Sequence, residues 1–249
     1  MLAAGAGTRL RPLTRARPKA LCPVGDRVLL DHALARMRPV CGDIAVNVHH
    51  GRGQVQAHLA RRPGGVVAHV SVEPDAVRGT AGALGLLRAW IDGRPTLVTN
   101  ADAWLPTDLG PFLAGWDGER VRLLCVRDPA RGDFGALRYC GAALMPWPEV
   151  AVLGPEPSGL YERSWAAAED AGHLDLVVHD GPFVDCGTPA DYLEANLEWS
   201  GGASVIGAGA VVGTGADLVR SVVWPGAVVD PGERLVDAIR TPTLTVLVR

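Results

Sequence analysis

Gly5 and Gly7 stand two residues apart near the start of the chain. Arg9 follows at once, and Lys19 comes after a run of further arginines. Without side chains at Gly5 and Gly7, backbone amides there can close around phosphate oxygens. Arg9 and Lys19 bring positive charge to the same loop, which stabilises a triphosphate as negative charge moves toward its leaving group. Of the 24 lysine and arginine residues, Lys19 is the only lysine. One reading is a place that needs a compact ammonium where a forked guanidinium does not fit. The plainer reading is a compositional preference for arginine. Arg11, Arg15 and Arg17 add positive potential or are ordinary solvated loop charges. The spacing also resembles the opening of a dinucleotide-binding G-x-G-x-x-G, but Leu10 holds the third glycine's place, which sets that reading aside.

Two carboxylates stand out further along. Asp102 closes Thr99-Asn100-Ala101-Asp102, after a predicted strand that starts at Thr96, and Asp185 closes a second predicted strand. Ligands of parallel sheets sit at the carboxyl ends of strands. Two carboxylates brought together there can hold Mg²⁺, with phosphate oxygens completing its shell. Either one alone reads as a turn or cap residue.

The elements that must position these residues alternate through residues 1–200. Short apolar runs predict strands at Ile44–Val48, Val66–Val72, Thr96–Thr99, Val121–Val126 and Phe183–Asp185. Helices are predicted at Leu29–Met37, Gly53–Ala60, Thr80–Trp90 and Pro189–Trp199, the last with Thr188 as N-cap and Pro189 at its first position. The alternation predicts an α/β, Rossmann-like layered domain with a mostly parallel mixed sheet. From about Ala203 the texture changes. Apolar residues recur at Ile206, Val212 and Leu218, then, after a shorter step, at Val223, Val229 and Leu235. Gly207 and Gly213 follow the apolar position, and Ala210, Ala216 and Ala227 sit four residues after it, which is the hexapeptide pattern of a left-handed parallel β-helix. The expected division is therefore a domain over 1–200 and a short β-helix-like segment over 201–249. Only about two coils fit, so the segment is expected to pack on the first domain or on another subunit, giving a possible homo-oligomer. An acyltransferase built on so few coils, with no histidine in them, is set aside.

Composition narrows the function classes. The chain has 249 residues, 48% of them hydrophobic, and a net charge of −3, so no global field favours nucleic acid or an anionic membrane. The cysteines Cys22, Cys41, Cys125, Cys140 and Cys186 form no C-x-x-C pair, and read as buried free thiols in a reducing compartment. No apolar run approaches a membrane span and no signal peptide opens the chain, so a cytoplasmic location is expected.

The segment Leu2-Ala-Ala-Gly-Ala-Gly-Thr-Arg-Leu-Arg-Pro-Leu-Thr14, with Pro18-Lys19-Ala-Leu-Cys-Pro-Val24, resembles the signature of sugar-phosphate nucleotidyltransferases. The resemblance spans most of residues 1–200. It implies transfer of a nucleoside monophosphate from a nucleoside triphosphate to a hexose 1-phosphate, with release of pyrophosphate. By the same resemblance, Arg9 would meet the leaving pyrophosphate and Lys19 the α-phosphate region. Leu2, Ala3, Gly5, Gly7 and Thr8 would line the nucleotide pocket, and Asp102 and Asp185 would be the Mg²⁺ pair. Glu73-Pro74 and Arg78-Gly79-Thr80-Ala81-Gly82 resemble the base-recognition loop, with Gly79 and Gly82 open to the base edge. Thr80 is also compatible with a helix N-cap. Gly141, in Tyr139-Cys-Gly-Ala-Ala-Leu-Met-Pro146, would abut the sugar. Gly-Thr-Ala-Gly is similar to mannose-1-phosphate guanylyltransferases, whereas the compact middle of the chain is closer to N-acetylmuramate-1-phosphate uridylyltransferases.

Two departures accompany the match. Family members usually carry more apolar residues before Leu-Ala-Ala-Gly, forming most of a central first strand, whereas Met1 directly precedes it here. The family's Glu-Lys sugar contact also has no counterpart. Arg131 or Arg138 is the candidate substitute, while Glu162 and Arg163 read as a solvated helix face. These departures motivate a rival reading, a non-catalytic nucleotide-sugar-binding subunit.

Overall fold

The computed structural model describes residues 1–61 and 67–248. A small hairpin of β1 (Pro23–Val24) and β2 (Arg27–Val28) leads into α1 (Leu29–Met37). Then come β3 (Ala45–Val48), α2 (Arg52–Ala60), β4 (His69–Val72), α3 (Gly79–Ile91), β5 (Thr96–Thr99) and α4 (Gly110–Leu113). Next follow β6 (Val121–Arg127), β7 (Leu137–Met145), α5 (Trp147–Ala151), a π-helical turn at Tyr161–Trp165, α6 (Ala166–Asp170), β8 (Leu174–Val178) and α7 (Pro189–Ser200). Short strands complete the chain: β9 (Val205–Ile206), β10 (Val211–Val212), β11 (Asp217–Val219), β12 (Val222–Val223), β13 (Val228–Val229), β14 (Arg234–Val236), β15 (Ala238–Arg240) and β16 (Thr245–Leu247). Among the described residues, no helix is long and apolar enough to cross a membrane.

The elements pack as two units that cut across chain order. The first holds residues 1–5, 33–101 and 105–181. Its larger sheet runs β5-β7-β6-β8, with β7 antiparallel to both neighbours and β8 parallel to β6, so it is mixed. A second pair, β3 and β4, is parallel. Leu2 joins the two, bridging Asn47 and Asn100 in the parallel sense while its N–H donates to Thr99 O at 2.8 Å. The Met1 amine donates to Ala45 O at 2.8 Å, and burial pulls its pKa from 8.0 down to about 5. Beyond this point the facing edges of β3 and β5 flank a cavity of about 410 Å³, lined among others by Met37, Val40, Leu84, Leu87, Trp90 and Ile91. Helix α3 turns Ala81, Leu84, Leu87 and Ile91 into the core against Val98, Leu123 and Met145, the three- and four-residue steps of one helical face. Each large side chain so buried stabilises the fold by roughly 1.5–3 kcal/mol.

The second unit holds residues 6–32, 102–104 and those from 182 onward. Leu10, Leu13, Cys22 and Val24 share a core with Val184, Tyr192, Leu193, Val222, Trp224 and Ile239. Trp224 is fully buried; its indole N–H donates to Tyr192 Oη at 2.9 Å, and that hydroxyl donates to Pro23 O. The Arg17 guanidinium lies 4.5 Å from the Trp224 ring centre, a cation–π contact. The terminal strands pair in parallel at a step of 17 residues: Val205 with Val222, Val211 with Val228, and Asp217 with Arg234. Strand β16 turns back antiparallel onto β15. Val223, Val229 and Leu235 are buried as the repeat requires, whereas Ile206 and Val212, on the first coil, are exposed. That coil has a neighbouring coil on one face only. The change of texture after residue 200 marks the coils in sequence, while packing draws residues 6–32 into the same unit.

The predicted helices match within a residue or so, α1 at both ends. The strand expected at Phe183–Asp185 does not form. Val184 makes only an isolated antiparallel bridge to Trp104, because Pro182 brings no N–H and Cys186 leaves the extended region at φ 52°. The strand expected at Val66–Val72 appears as His69–Val72, and Val66 lies outside the described residues. Strand β8 and the short helices α4, α5 and α6 were not foreseen.

Candidate active site

In the second unit, Gly7 takes the left-handed conformation (φ 59°) at the head of a 3-10 turn, Thr8–Leu10. Only glycine does this freely, and space matters as well: a Cβ there would lie 3.0 Å from Lys19 Cβ and Thr14 Cγ2. Thr14 Oγ1 donates to Gly7 O at 2.9 Å, fixing the loop and leaving Thr8 and Arg9 exposed. Pro18 opens a second 3-10 turn, Lys19–Leu21, which buries the lysine to 6% exposure. Its Nζ donates to Asp185 O at 2.9 Å and lies 3.1 Å from Asp102 Oδ2 and 3.8 Å from Asp185 Oδ1. Arg9 Nη2 meets the other Asp185 oxygen at 3.4 Å. The ammonium therefore reaches a phosphate oxygen only by giving up a protein contact, and the 3.8 Å one is the loosest.

Trp104 and Val184 exchange both backbone hydrogen bonds (2.8 and 2.9 Å), which brings Asp102 and Asp185 to one lysine although 83 positions separate them. The reversed φ of Cys186 and a capping box, in which Thr188 and Asp191 bond reciprocally, then pin the turn into α7. Cys22 and Cys186, which share the core of this unit, are fully buried, and that burial pushes the Cys186 thiol up and the Cys22 thiol up to about 12. Asp102 and Asp185 keep side chains about a third exposed. Both carboxylates meet on the Lys19 ammonium, and their partly exposed oxygens are of the hard kind that a divalent cation takes together with water and phosphate oxygens. Gly187 went unnoticed in the sequence. A Cβ there would sit 3.0 Å from Asp185 Oδ2 and 3.2 Å from Arg9 Nη2, so its absence gives Arg9 room to reach the carboxylate.

The first unit carries Leu2, Ala3, Gly5, Gly79, Thr80, Gly82 and Gly141. Ala3 N–H donates to Asn47 Oδ1 (2.8 Å), Asn47 Nδ2 to Glu73 Oε1 (2.7 Å), and Arg78 N–H to Glu73 Oε2 (2.8 Å). Glu73 is fully buried, so its carboxylate ties the end of the glycine segment to the loop before α3. Neither Asn47 nor this use of Glu73 carries a sequence signal. Gly79 and Gly82 have a packing reason of their own: added Cβ atoms would lie 2.4 Å from Ser158 O and 2.5 Å from Glu156 O. Thr80 is not an N-cap. Helix α3 starts one residue earlier, and the Thr80 hydroxyl accepts from Leu160 N–H at 2.8 Å. Gly141 adopts φ 93°, and its carbonyl accepts from Asn100 N–H and Thr99 Oγ1. Arg131 and Arg138 both pair with Asp128, at 3.0 and 3.6 Å. Glu162 and Arg163 are exposed on the π-helical turn.

Residues 1–131 match the family model described as nucleotidyl transferase. The chain belongs to this family. The transferase is 29% identical over 227 residues to the N-acetylmuramate alpha-1-phosphate uridylyltransferase of Caulobacter vibrioides, covering 78% of this chain and 93% of that one. It is 23% identical over 221 residues to the mannose-1-phosphate guanylyltransferase catalytic subunit beta of Dictyostelium discoideum, covering 78% and 62%. Among solved structures, a Thermus thermophilus protein described as a mannose-1-phosphate geranyltransferase superposes with a TM-score of 0.71 at 19% identity, over 99% of this chain and 93% of that one. The transferase thus has the nucleotidyltransferase α/β fold, and these sequence relatives are sugar-1-phosphate nucleotidyltransferases.

Proposed function

We propose that the transferase moves a nucleoside monophosphate from a nucleoside triphosphate to a hexose 1-phosphate. Our first choice of pair is GTP with mannose 1-phosphate. The observation that carries this is the buried Lys19 ammonium on both Asp102 and Asp185, with Arg9 on the second. The sugar phosphate oxygen attacks the α-phosphorus in line, forming a new P–O bond as the bond to the β-phosphate oxygen breaks. Pyrophosphate leaves with that electron pair. The attacking phosphate is already ionised, so no general base is needed.

Arg9, exposed at its tip, takes the pyrophosphate, and Lys19 takes the α-phosphate oxygens. Amides around Gly5, Gly7 and Thr8 hold the phosphate chain, with Leu2 and Ala3 beside the nucleotide. Gly79, Thr80 and Gly82 border the base, and Gly141 the sugar. Asp102 and Asp185 are the residues to hold Mg²⁺, which when bound adds positive charge beside the reacting phosphates. Positioning and charge then supply the catalysis. A second reading, uridylyl transfer to an amino-sugar 1-phosphate, is supported by the Caulobacter relative, which is more similar (29% against 23% identical) and is matched over more of its own length (93% against 62%). The exposed Ile206, Val211 and Val228 support self-association through the coils. A cytoplasmic location fits the substrates.

The test is pyrophosphate release with Mg²⁺ and a panel pairing GTP or UTP with mannose 1-phosphate, glucose 1-phosphate or N-acetylmuramate 1-phosphate. Release with at least one pair is expected. Silence with every pair overturns the enzyme reading in favour of a binding subunit.

A further inference from the structure

Glu73 is fully buried, yet both of its carboxylate oxygens are engaged. Oε1 accepts from Asn47 Nδ2 at 2.7 Å and Oε2 from Arg78 N–H at 2.8 Å, both uncharged donors. Asn47, itself 2% exposed, uses its other end on Ala3, whose N–H reaches Oδ1 at 2.8 Å. Ala3, Asn47, Glu73 and Arg78 all lie in the first unit. Burying a carboxylate is costly, and apolar side chains would hold these segments together without that cost. What a run of hydrogen bonds adds is a fixed length. It sets the main chain at Ala3 a defined distance from the main chain at Arg78.

Each part of the run is anchored from behind. Asn47 stands in β3 and its N–H donates to Met1 O at 3.2 Å. Glu73 follows β4, with its N–H on Val48 O at 2.9 Å and its carbonyl on His49 Nδ1 at 2.7 Å. Beyond it, Ser158 N–H donates to Arg78 O and Ala81 N–H to Ser158 O, both at 3.0 Å, so the turn into α3 is held on two sides. The two ends of the run are the places that the proposed function gives to the nucleotide: Leu2 and Ala3 at one, Gly79, Thr80 and Gly82 at the other. Glu73 has no exposed surface and Asn47 almost none, so neither touches a ligand.

We propose that Asn47 and Glu73 are positioning residues for the nucleoside part of the nucleotide. Their hydrogen-bonded pair sets the separation between the Leu2–Ala3 and Gly79–Gly82 sides of its pocket. The inference rests on the proposed use of a nucleoside triphosphate, and every residue it invokes belongs to the first unit.

The order of donors and acceptors makes the pair testable. In Glu73→Gln, whichever way the amides turn, one NH₂ faces another N–H, donor against donor. Adding Asn47→Asp to it exchanges the roles. The new carboxylate accepts from Ala3 N–H and from the new amide, whose oxygen accepts from Arg78 N–H. The whole run returns with the net charge unchanged. Asn47→Ser, too short to reach Glu73, breaks the run without adding a charge.

Calorimetric titration with GTP and with UTP, each with Mg²⁺, gives the nucleotide Kd for the unaltered protein, Glu73→Gln, Asn47→Ser and the double variant Asn47→Asp/Glu73→Gln. Melting temperatures of the same samples report the fold. Kd is expected to rise about tenfold in Glu73→Gln and in Asn47→Ser, the scale of one broken buried hydrogen bond, and to return to within about threefold in the double variant. The sugar-phosphate KM, and kcat at saturating nucleotide, should stay within about twofold, as for a change confined to nucleotide binding. An unchanged Kd in a folded Glu73→Gln or Asn47→Ser overturns the proposal. So does a double variant that regains the melting temperature without regaining the Kd, since the run then holds the fold and nothing more. A Kd that follows the expected pattern in a protein that releases no pyrophosphate sinks the transferase reading and leaves the positioning pair standing.

Discussion

With its ammonium on Asp185 O at 2.9 Å and Asp102 Oδ2 at 3.1 Å, Lys19 occupies a space measured for three short N–H bonds on one nitrogen. A guanidinium is longer and planar, and its outer nitrogens would overrun both carboxylates. Lys19→Arg is therefore expected to lower pyrophosphate release about a hundredfold or more, on the scale of losing one well-placed charge donor. The melting temperature should shift by only a few degrees. Near-normal turnover in this variant would reduce the single lysine to an accident of composition. At this scale the sequence was informative about residues with unusual chemistry: Arg9, Lys19, Asp102 and Asp185 stand out by type and spacing. Thr14, Asn47, Glu73 and Gly187 do not. Their roles are contacts, such as Asn47 with Glu73 or Gly187 beside Arg9, that exist only once distant segments meet.

Among the elements, α3 shows that a glycine can have a packing reason beside any binding one. Gly79, Gly82 and Gly85 recur every three residues, and the carbonyls of Ser158, Glu156 and Gly154 fill the space where their Cβ atoms would stand. The tightest is Gly85, where a Cβ would come 2.0 Å from Gly154 O, a backbone atom with nowhere to go. Gly85→Ala is expected to destabilise the protein by about 1–3 kcal/mol despite the better helix propensity of alanine. Urea unfolding measures this, and an unchanged or raised midpoint would mean that the 154–158 segment yields freely. Helices were legible because their apolar faces repeat locally, as at Leu29–Met37. The segment Phe183–Asp185 was not, because a run of apolar residues does not reveal that Pro182 and Cys186 leave it room for one bridge.

Over the whole molecule, stability is coupled to thiols. Burial pushes Cys22, Cys125 and Cys140 from 9.0 up to about 12, and raises Cys186 in the same direction. Below pH 9 these thiols are protonated in folded and unfolded chains alike, and the stability they confer is fully present. Between pH 9 and 12 the folded chain keeps protons that the unfolded chain has lost. Stability therefore falls as pH rises, by up to about 1.4 kcal/mol per pH unit for each thiol. Thermal melts from pH 8 to 11 should show a steep decline above pH 9, moved upward in Cys125→Ala/Cys140→Ala when compared with that variant's own stability at pH 8. Parallel declines in both proteins would assign alkaline loss to other groups. The short parallel strands from Val205 onward fit the coils that the six-residue repeat predicts, and the α/β class was legible from alternation. The division into units was not, because residues 6–32 join the coils through contacts such as Arg17 on Trp224 that no local pattern encodes.

The burial of Lys19 has a practical corollary. A lysine-specific protease has one bond to cut in this sequence, Lys19–Ala20, and an amine-reactive dye has one side chain to find. At 6% exposure that residue is out of reach of both while the turn at Lys19–Leu21 holds. Each cleavage, and each label found on Lys19 as distinct from the Met1 amine, then counts one opening of the phosphate loop, so a time course with and without nucleotide reads the loop's closure directly.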